Sequence, residues 1–218
     1  ITADEQLRGG KSLPLKAIVD EAIGLGGCDS LRQVIVCRRT GGQVNMVAGR
    51  DVWMSDVLSA QSDVCPPEWV DAEHPLFLLY TSGSTGKPKG VVHVHGGYAS
   101  GIMETMKVAF DARPGDVMFV VADPGWITGQ SYMIAAALLS RVTTVLAEGS
   151  PVFPHAGRFA AMIERHGVTI FKAGVTFLKA VMSDPQNLTD IKAYDLSCLR
   201  VATFCAEPCS PTVQDFGM

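Results

Sequence analysis

The chain has 218 residues, 47% of them apolar and 18% charged, and its 22 Asp and Glu outnumber its 18 Lys and Arg to give a formal net charge of −4. This composition is typical of a globular protein and excludes a disordered, collagen-like or coiled-coil chain. The acidic balance argues against a nucleic-acid partner, because phosphate contacts require a basic surface. The most apolar stretch, residues 132–139, is much shorter than the ~20 residues that cross a bilayer, and the first residues form no apolar leader. We therefore expect a cytoplasmic protein with no membrane partner.

The six cysteines form no C-x-x-C pair, and with the five scattered histidines they form no zinc-ligand pattern. The sequence therefore predicts no metal site, and we expect reduced thiols packed as small apolar groups. Cys205 and Cys209 are the nearest pair, and a metal or disulfide role stays open for them beside simple packing.

The first part of the chain, residues 1–70, predicts a partial α/β subdomain. Apolar residues at helical spacing over 15–23, Ile18 among them, predict a helix that ends at the glycines from Gly24 onward. The β-branched run Val34–Cys37 predicts a strand, and a Gly-Gly turn then leads to a second extended segment at 44–47.

A helix is expected next, over residues 51–60, with Trp53, Val57 and Leu58 facing inward. The two prolines that follow predict its end and a subdomain boundary within 66–75. Residues 71–218 then form the second α/β subdomain.

In this second subdomain a buried strand is expected over 76–80, followed by a polar glycine-rich loop and an extended segment over 91–95. The remaining predicted elements are a helix over 97–110, a buried strand over 116–122, a buried helix over 132–139, a strand over 142–146, an amphipathic helix over 155–166 stopped by Gly167, a strand over 168–171, a helix over 177–182 with Thr176 as N-cap, and a strand over 199–204. The alternation predicts the α/β class: a doubly wound, mostly parallel sheet with helices on both faces, whose ligands bind at the carboxyl ends of the strands.

The glycine-rich loop over residues 81–90 has the composition of a phosphate-binding site. Glycines let the main chain approach an anion, hydroxyls donate hydrogen bonds, and lysines neutralise charge. A solvated linker is the alternative, but a linker needs no lysine pair and does not normally join two buried strands. The candidate phosphate-binding residues are Thr81, Ser82, Gly83, Ser84, Thr85, Gly86, Lys87 and Lys89.

This loop differs from the common nucleotide P-loop, because only two residues separate Gly83 from Gly86 and Pro88 follows the lysine. The segment YTSGSTGKPKGV resembles the signature loop of the AMP-forming acyl-CoA synthetases, in the adenylate-forming superfamily. The surrounding chain, to about residue 211, is most similar to the acetyl-CoA and propionyl-CoA synthetase branch.

The resemblance implies the incomplete large N-terminal domain of an adenylate-forming enzyme. It implies that Thr85 and Lys87 are catalytic, and that the enzyme uses ATP, Mg²⁺ and coenzyme A with a small carboxylate substrate. In the N-terminal segment, Arg8 and Lys11 flank Gly9 and Gly10 and would bind the 3′-phosphate of CoA. Without the resemblance, this pair is a solvated charge pair in a turn.

Two further segments carry the resemblance. In ADPGWITGQSY, Trp126, Ile127 and Thr128 would line the acyl pocket, with Thr128 also on the CoA tunnel, although a tryptophan in this setting can equally belong to a core. In the last segment, Cys205 would complete the acyl wall. The adenine-binding residues there would be Ala206, Glu207 and Pro208. Glu207 by itself is an ordinary surface carboxylate.

The chain departs from the branch at four positions. Ala206 stands for a glycine, Cys205 for a valine, Val152 for an asparagine near CoA, and Val175 for a proline. This pattern is similar to the synthetase module of multifunctional propionyl-CoA synthases, which activate 3-hydroxypropionate.

Other family segments do not occur before Met218: the segment with the glutamate that holds Mg²⁺, the ribose-binding aspartate, and the C-terminal domain with the adenylation lysine. We therefore expect a fragment of a short-chain acyl-CoA synthetase (an acid-thiol ligase), inactive alone, whose partner is the missing C-terminal domain of the same polypeptide. A non-catalytic nucleotide-binding or assembly module is the alternative. A phosphotransferase would need a metal-binding carboxylate pair, for which Asp123 is the only candidate.

Overall fold

The computed structural model describes residues 1–81 and 86–217, which divide into two compact units, one spanning Ile1–Glu68 and one beginning at Trp69. Each unit contains a parallel sheet and helices, so the predicted α/β class is confirmed. Among the helices of these residues, none combines the length and apolar character that a bilayer crossing requires.

The first unit contains a three-stranded parallel sheet. A small antiparallel hairpin lies between the first and second strands of that sheet in the chain. The sheet order is β1 (Thr2–Ala3), β4 (Val34–Cys37), β5 (Asp51–Trp53); the hairpin pairs β2 (Gln6–Arg8) with β3 (Lys11–Leu13); and the helices are α1 (Leu15–Gly24) and α2 (Met54–Ser59). In β4, Val34 and Val36 are buried and alternate with half-buried neighbours, as expected for β-branched residues in a pleated strand.

The prediction for β4 is confirmed, but the predicted strand at 44–47 is wrong. The strand that follows β4 is β5, which pairs with it in parallel, so the Gly-Gly turn closes no hairpin. The helix predicted over 51–60 accordingly begins only at Met54, and Leu58 is 61% exposed rather than inward. Helix α1 forms as predicted, but it buries Lys16 and leaves Ile18 53% exposed, because Lys16 is paired with carboxylates inside the unit.

The second unit begins with an antiparallel hairpin and continues as alternating strands and helices. Its elements are β6 (Pro75–Thr81), β7 (Lys89–Val94), α3 (His95–Val108), β8 (Val117–Val121), the π-helical segment Gly129–Ala135 leading into α4 (Ala136–Leu139), β9 (Thr143–Val145), α5 (Gly157–His166), β10 (Ile170–Gly174), α6 (Val175–Met182), α7 (Pro185–Lys192), β11 (Val201–Cys205) and α8 (Pro211–Gly217).

The hairpin corrects the prediction of a buried strand over 76–80. Leu78 is 53% exposed and Tyr80 is 65% exposed in β6, and Val92 is 55% exposed in β7. A continuous apolar run is typical of a strand buried on both faces, yet here it forms one arm of a two-stranded ladder. The loop therefore joins two exposed strands.

The last four strands form one parallel sheet in the order β11-β10-β8-β9, with helices on both faces. One layer contains Met118 and Ile170 of the sheet with α3, the π-helical segment and α4. The opposite layer contains Phe119 and Phe171 with α5, α6 and α8. This is the predicted doubly wound arrangement, in which alternate strand residues supply the two cores. Gly167 ends α5 at φ +58, as predicted for a left-handed C-cap.

The amino edge of this sheet is closed by a polar network. The carboxylate of Asp116 accepts hydrogen bonds from the Thr169 hydroxyl (2.7 Å), the Arg200 guanidinium (2.6 Å) and the Arg113 amide (2.7 Å). These polar groups form hydrogen bonds with one another, so the amino edge offers no unpaired carboxylate at Asp116. The carboxyl edge is the other candidate for a ligand site.

Candidate active site

The carboxyl edge of the four-stranded sheet contains a topological switch point between β8 and β10. From β8 the chain crosses to β9 on one side, whereas β10 and β11 lie on the other. In open parallel sheets, ligands bind in the crevice outside the strand ends at such a point. The segments after β8 and β11 lie at this edge, and they contain most of the acyl and adenine residues predicted from the sequence.

The segment after β8 is a tight turn that presents Trp126. The Asp123 carboxylate accepts the Gly125 amide at 2.7 Å, and the Asp123 carbonyl accepts the Trp126 amide at 3.0 Å. A side chain at Gly129 would come within 2.1 Å of the Asp123 carbonyl oxygen, so only glycine allows the helix to start this close to the turn. The turn is therefore fixed at both ends.

Trp126 is 73% exposed and belongs to neither of the two apolar clusters that the described residues of this unit form. Ile127 is also exposed, and Thr128 is half-buried where the π-helical segment begins. The exposure of Trp126 argues against the core alternative and leaves an aromatic face open to a ligand. π-helical turns such as the one that follows are frequent at functional sites.

The segment after β11 departs from ordinary backbone geometry at Ala206. This residue has φ +77, a left-handed conformation that is unfavourable for any residue with a Cβ and natural for glycine. Cys205, the last residue of β11, is half-buried, and Pro208 is exposed. The backbone at Ala206 therefore keeps a glycine-like conformation although the residue is alanine.

Glu207 is clamped to helix α6 rather than being an isolated surface carboxylate. It accepts a hydrogen bond from Lys179 at 2.7 Å and another from the Thr176 hydroxyl. The hydrogen bond from Lys179, and then that from Thr176, hold the pKa of Glu207 below its ordinary value. The prediction that Thr176 caps α6 is wrong, because the N-cap is Gly174 and the Thr176 hydroxyl points to Glu207 instead.

The glycine-rich loop is described only at its two ends. Ser82, Gly83, Ser84 and Thr85 lie outside the described residues. At its ends, Thr81 and Lys89 are a cross-strand pair, and Gly86 has φ +134. The side chains of Lys87 and Lys89 are exposed, and neither forms an ion pair with any residue that the structure describes.

The base of this hairpin is connected to the helix that follows the Trp126 turn. The ring of Phe77 in β6 meets the Tyr98 ring of α3 edge-on at 5.1 Å, and the Tyr98 hydroxyl is 2.8 Å from the Ser131 hydroxyl in the π-helical segment. These contacts link the strands that flank the loop to the carboxyl edge of the sheet.

Arg8 and Lys11 are brought together in the first unit. They are directly opposite each other across the β2–β3 ladder, and Gly9 and Gly10 form the two-residue turn at φ +55 and φ +79. Two positive φ values match the tight hairpin turns that favour glycine, and cross-strand partners project to the same face. All four residues are exposed, so the two cations flank an open backbone turn.

Lys172, the one lysine of the four-stranded sheet, was not predicted from the sequence as a site residue. It is 5% exposed in β10, and its ammonium is 3.2 Å from the Sγ of Cys205. The sequence signal for it is a lysine that directly follows the apolar strand predicted over 168–171.

Among residues 1–81 and 86–217, no group of three or more His, Cys, Asp or Glu side chains could hold a metal ion. These residues do not by themselves fit an Mg²⁺ site, and no step proposed below depends on one. The thiols of Cys28, Cys65 and Cys209 are exposed rather than packed, and all six cysteines are free.

Comparison with known proteins gives one consistent result. A family model described as "AMP-binding enzyme" matches residues 19–217. Curated proteins named acetyl-coenzyme A synthetase, from Burkholderia mallei, Burkholderia pseudomallei and Burkholderia thailandensis, are 51% identical to this chain over 213 residues, which cover 97% of the chain and 32% of each relative. The chain thus spans about a third of the length of the curated relatives it matches.

Proposed function

The chain belongs to the AMP-binding enzyme family, and from this premise we propose that it provides the phosphate-binding loop and acyl-binding wall of an AMP-forming, short-chain acyl-CoA synthetase. The observation that carries the proposal is the carboxyl edge of the sheet. There the exposed Trp126 turn follows β8, and the left-handed turn at Ala206 follows β11, which pairs with β10. The acid, ATP and CoA are its substrates, with Mg²⁺ accompanying ATP.

The reaction has two steps. A carboxylate oxygen attacks the α-phosphorus of ATP, the bond to the β-phosphate oxygen breaks, and acyl-AMP and pyrophosphate form. The CoA thiolate then attacks the acyl carbonyl, and AMP leaves with the electron pair of the broken C–O bond. An anionic acid approaches a polyphosphate only if their repulsion is offset. Lys87 and Lys89 supply that offset, since both are exposed and carry no ion pair with a described residue.

The acyl group would lie between Trp126 and Cys205. The first provides a large apolar face, and the second is small and half-buried at the end of β11. Packing rejects each additional methylene by only ~1–3 kcal/mol, so selectivity by chain length should be graded. Acetate, propionate and 3-hydroxypropionate are the acids of the proposed size.

The nucleotide base would lie on the turn formed by Ala206, Glu207 and Pro208. Because Glu207 is held by Lys179 and Thr176, its main role is to fix this turn to helix α6. The 3′-phosphate of CoA would bind the Arg8 and Lys11 pair, which flanks an open glycine turn.

A cytoplasmic location is part of the same proposal. Three exposed thiols, Cys28, Cys65 and Cys209, are free in the fold, which suits a reducing compartment.

The test is pyrophosphate release by the native full-length protein supplied with ATP, CoA and a series of linear acids from two to eight carbons. We expect efficiency to peak at two or three carbons and AMP to accumulate with pyrophosphate. A maximum at octanoate would refute the acyl-wall assignment. Nucleotide binding without turnover of any acid would favour the non-catalytic module.

A further inference from the structure

The interior of the second unit contains a lysine, Lys172, for which the described residues provide no carboxylate partner. Lys172 is 5% exposed in β10, and among the described residues no carboxylate pairs with it. The loop segment 82–85, which the structure does not describe, contains no acidic residue. An ammonium group has three N–H donors, and the one acceptor recorded for Lys172 is the Cys205 sulfur at 3.2 Å.

Aromatic rings stabilise this ammonium only in part. Its nitrogen lies 4.9 Å from the centre of the Tyr132 ring and 5.4 Å from that of Phe110. Such cation–π contacts favour the charge, but ring faces do not replace the hydrogen bonds that the ammonium loses on leaving water.

An unsatisfied hydroxyl lies beside it. Thr203 is the cross-strand partner of Lys172 in β11, and its Oγ1 is buried with no hydrogen-bond partner among the described residues. Lys172, Thr203 and Cys205 share one face of the sheet, because paired residues and residues two apart along a strand project to the same side. The three side chains therefore lie on one face of neighbouring strands, and Cys205, at the end of β11, belongs to the proposed acyl wall.

A buried donor without an acceptor is costly, so such groups persist where a ligand supplies the partner. We propose that Lys172, with Thr203, is a specificity-determining residue that recognises a second oxygen on the far end of a short carboxylic acid. This inference rests on the proposed acyl site and adds the polar group that the site selects.

Three acids of equal carbon number isolate this oxygen: propionate has none, 3-hydroxypropionate has a hydroxyl, and malonate has a second carboxylate. We expect the full-length protein to show a higher kcat/KM for pyrophosphate release with at least one of the two oxygen-bearing acids than with propionate. The hydroxyl and carboxylate arms then distinguish which oxygen is recognised.

Lys172→Met keeps the length of the side chain and removes its charge. It should lower the ratio of kcat/KM for the preferred oxygen-bearing acid over propionate by roughly 10- to 100-fold, the usual effect of losing a hydrogen bond to a charged group. Thr203→Val should lower the ratio severalfold, and it keeps the test available if Lys172→Met does not fold. Lys192→Met, an exposed lysine on α7, is the control and should leave the ratio as in the parent.

A parent that favours propionate, or a ratio unmoved by both variants, would overturn the inference while leaving the synthetase proposal intact. If no acid gives pyrophosphate, the proposed function fails, and binding decides the inference. In ¹³C-labelled lysine spectra, the signal that Lys172→Met removes should shift on addition of malonate or 3-hydroxypropionate and not of propionate. The absence of such a shift would overturn it.

Discussion

The two units each bury a lysine, and they surround it differently. Lys16 in the first unit is 1% exposed and is bonded to Asp20 at 2.7 Å, to Asp51 at 2.8 Å and to the Asn45 carbonyl at 3.0 Å. Lys172 in the second unit is nearly as buried but has one sulfur and two rings around it. All three N–H donors of the Lys16 ammonium therefore have acceptors inside the first unit. The difference suggests that the first lysine stabilises structure, whereas the second is kept for a ligand.

Removing the charge of each lysine tests this difference most directly. Lys16→Met leaves two carboxylates without their ammonium, and the Asp51 side chain is fully buried. Breaking such a pair costs ~3–5 kcal/mol, and because Arg50 still bonds to both carboxylates we expect the lower end, about 3 kcal/mol. Lys172→Met should change the free energy of unfolding by less than about 1 kcal/mol, since an apolar chain replaces an unpaired charge. Urea denaturation of the two variants measures both values, and equal losses would contradict the distinction.

A second test concerns the unpaired cations of the loop. Lys87→Ala in the full-length protein should lower acyl-adenylate formation by roughly 100-fold, the scale for losing a preorganised charge-stabilising group. Its free energy of unfolding should not change, because the side chain is exposed and without an ion pair among the described residues. Lys107→Ala, an exposed lysine on α3, is the control. Unaltered pyrophosphate release would return Lys87 to the class of solvated loop residues.

The first unit also buries a carboxylate, Asp4, whose hydrogen bonds make stability depend on pH. Asp4 is fully buried, and burial would raise its pKa, but hydrogen bonds from the amides of Arg39, Glu5, Gly41 and Thr40 outweigh this and lower the pKa from 3.8 to about 2. Because the folded pKa lies below the unfolded one, this carboxylate stabilises the fold above pH 3.8, and the stabilisation is lost as pH falls towards 2.

The stability difference between the parent and Asp4→Asn should therefore be largest near neutral pH and shrink in acid. Asp29→Asn, on an exposed aspartate of the same unit, is the matched control. Unfolding curves at several pH values provide the measurement, and a difference that does not vary with pH would show that the carboxylate is not the stabilising form.

The backbone conformation of Ala206, at the carboxyl edge of the sheet, predicts a smaller change in stability. Ala206→Gly should stabilise the protein by about 1 kcal/mol, because glycine takes a positive φ without the steric cost that alanine bears, although it also gains freedom in the unfolded chain. Gly167→Ala is the converse, since Gly167 has φ +58, and should destabilise by a similar amount. Thermal unfolding measures both, and a loss of stability in Ala206→Gly would mean that the turn tolerates its alanine.

The smallest expected effect belongs to the exposed hairpin of the first unit. Replacing Arg8 and Lys11 by alanine should raise the KM for CoA about two- to tenfold and leave pyrophosphate formation nearly unchanged, because exposed charges are screened within ~8 Å at physiological salt. Dephospho-CoA should abolish the difference between variant and parent. If the variant discriminates CoA from dephospho-CoA as well as the parent does, the phosphate binds elsewhere.

Local sequence predicted what depends on local sequence. The strand Val34–Cys37, the helix ending at Gly167 and the parallel strands of the second unit follow from β-branched runs, helical periodicity and a left-handed stop. The errors occur where distant residues decide. The strand at 44–47 is replaced by one at Asp51–Trp53, because pairing with β4 is a long-range choice. Helix α1 buries Lys16 and leaves Ile18 exposed, and two of the three partners of Lys16, Asp51 and Asn45, lie far along the chain.

The candidate site divides in the same way. The family resemblance pointed to the segments around Trp126 and Ala206, and their roles stay predictions. Lys172 was not predicted, because its neighbours Phe110, Tyr132 and Cys205 come from three other parts of the chain. The role of Glu207 was also hidden, since the sequence suggested Thr176 as a helix cap and gave no sign that the two residues bond. Sequence pattern predicts candidate residues, and packing shows which of them already have partners inside the fold.

The clamp between Glu207 and helix α6 has a dynamic consequence. Since this carboxylate holds both Thr176 and Lys179, any ligand that orders the turn after β11 also restrains the first turns of the helix. Amide protons of α6 should then exchange with solvent more slowly when the turn is occupied, even though the helix itself touches no ligand. Occupancy of one turn at the sheet edge would in this way slow amide exchange in the first turns of a neighbouring helix.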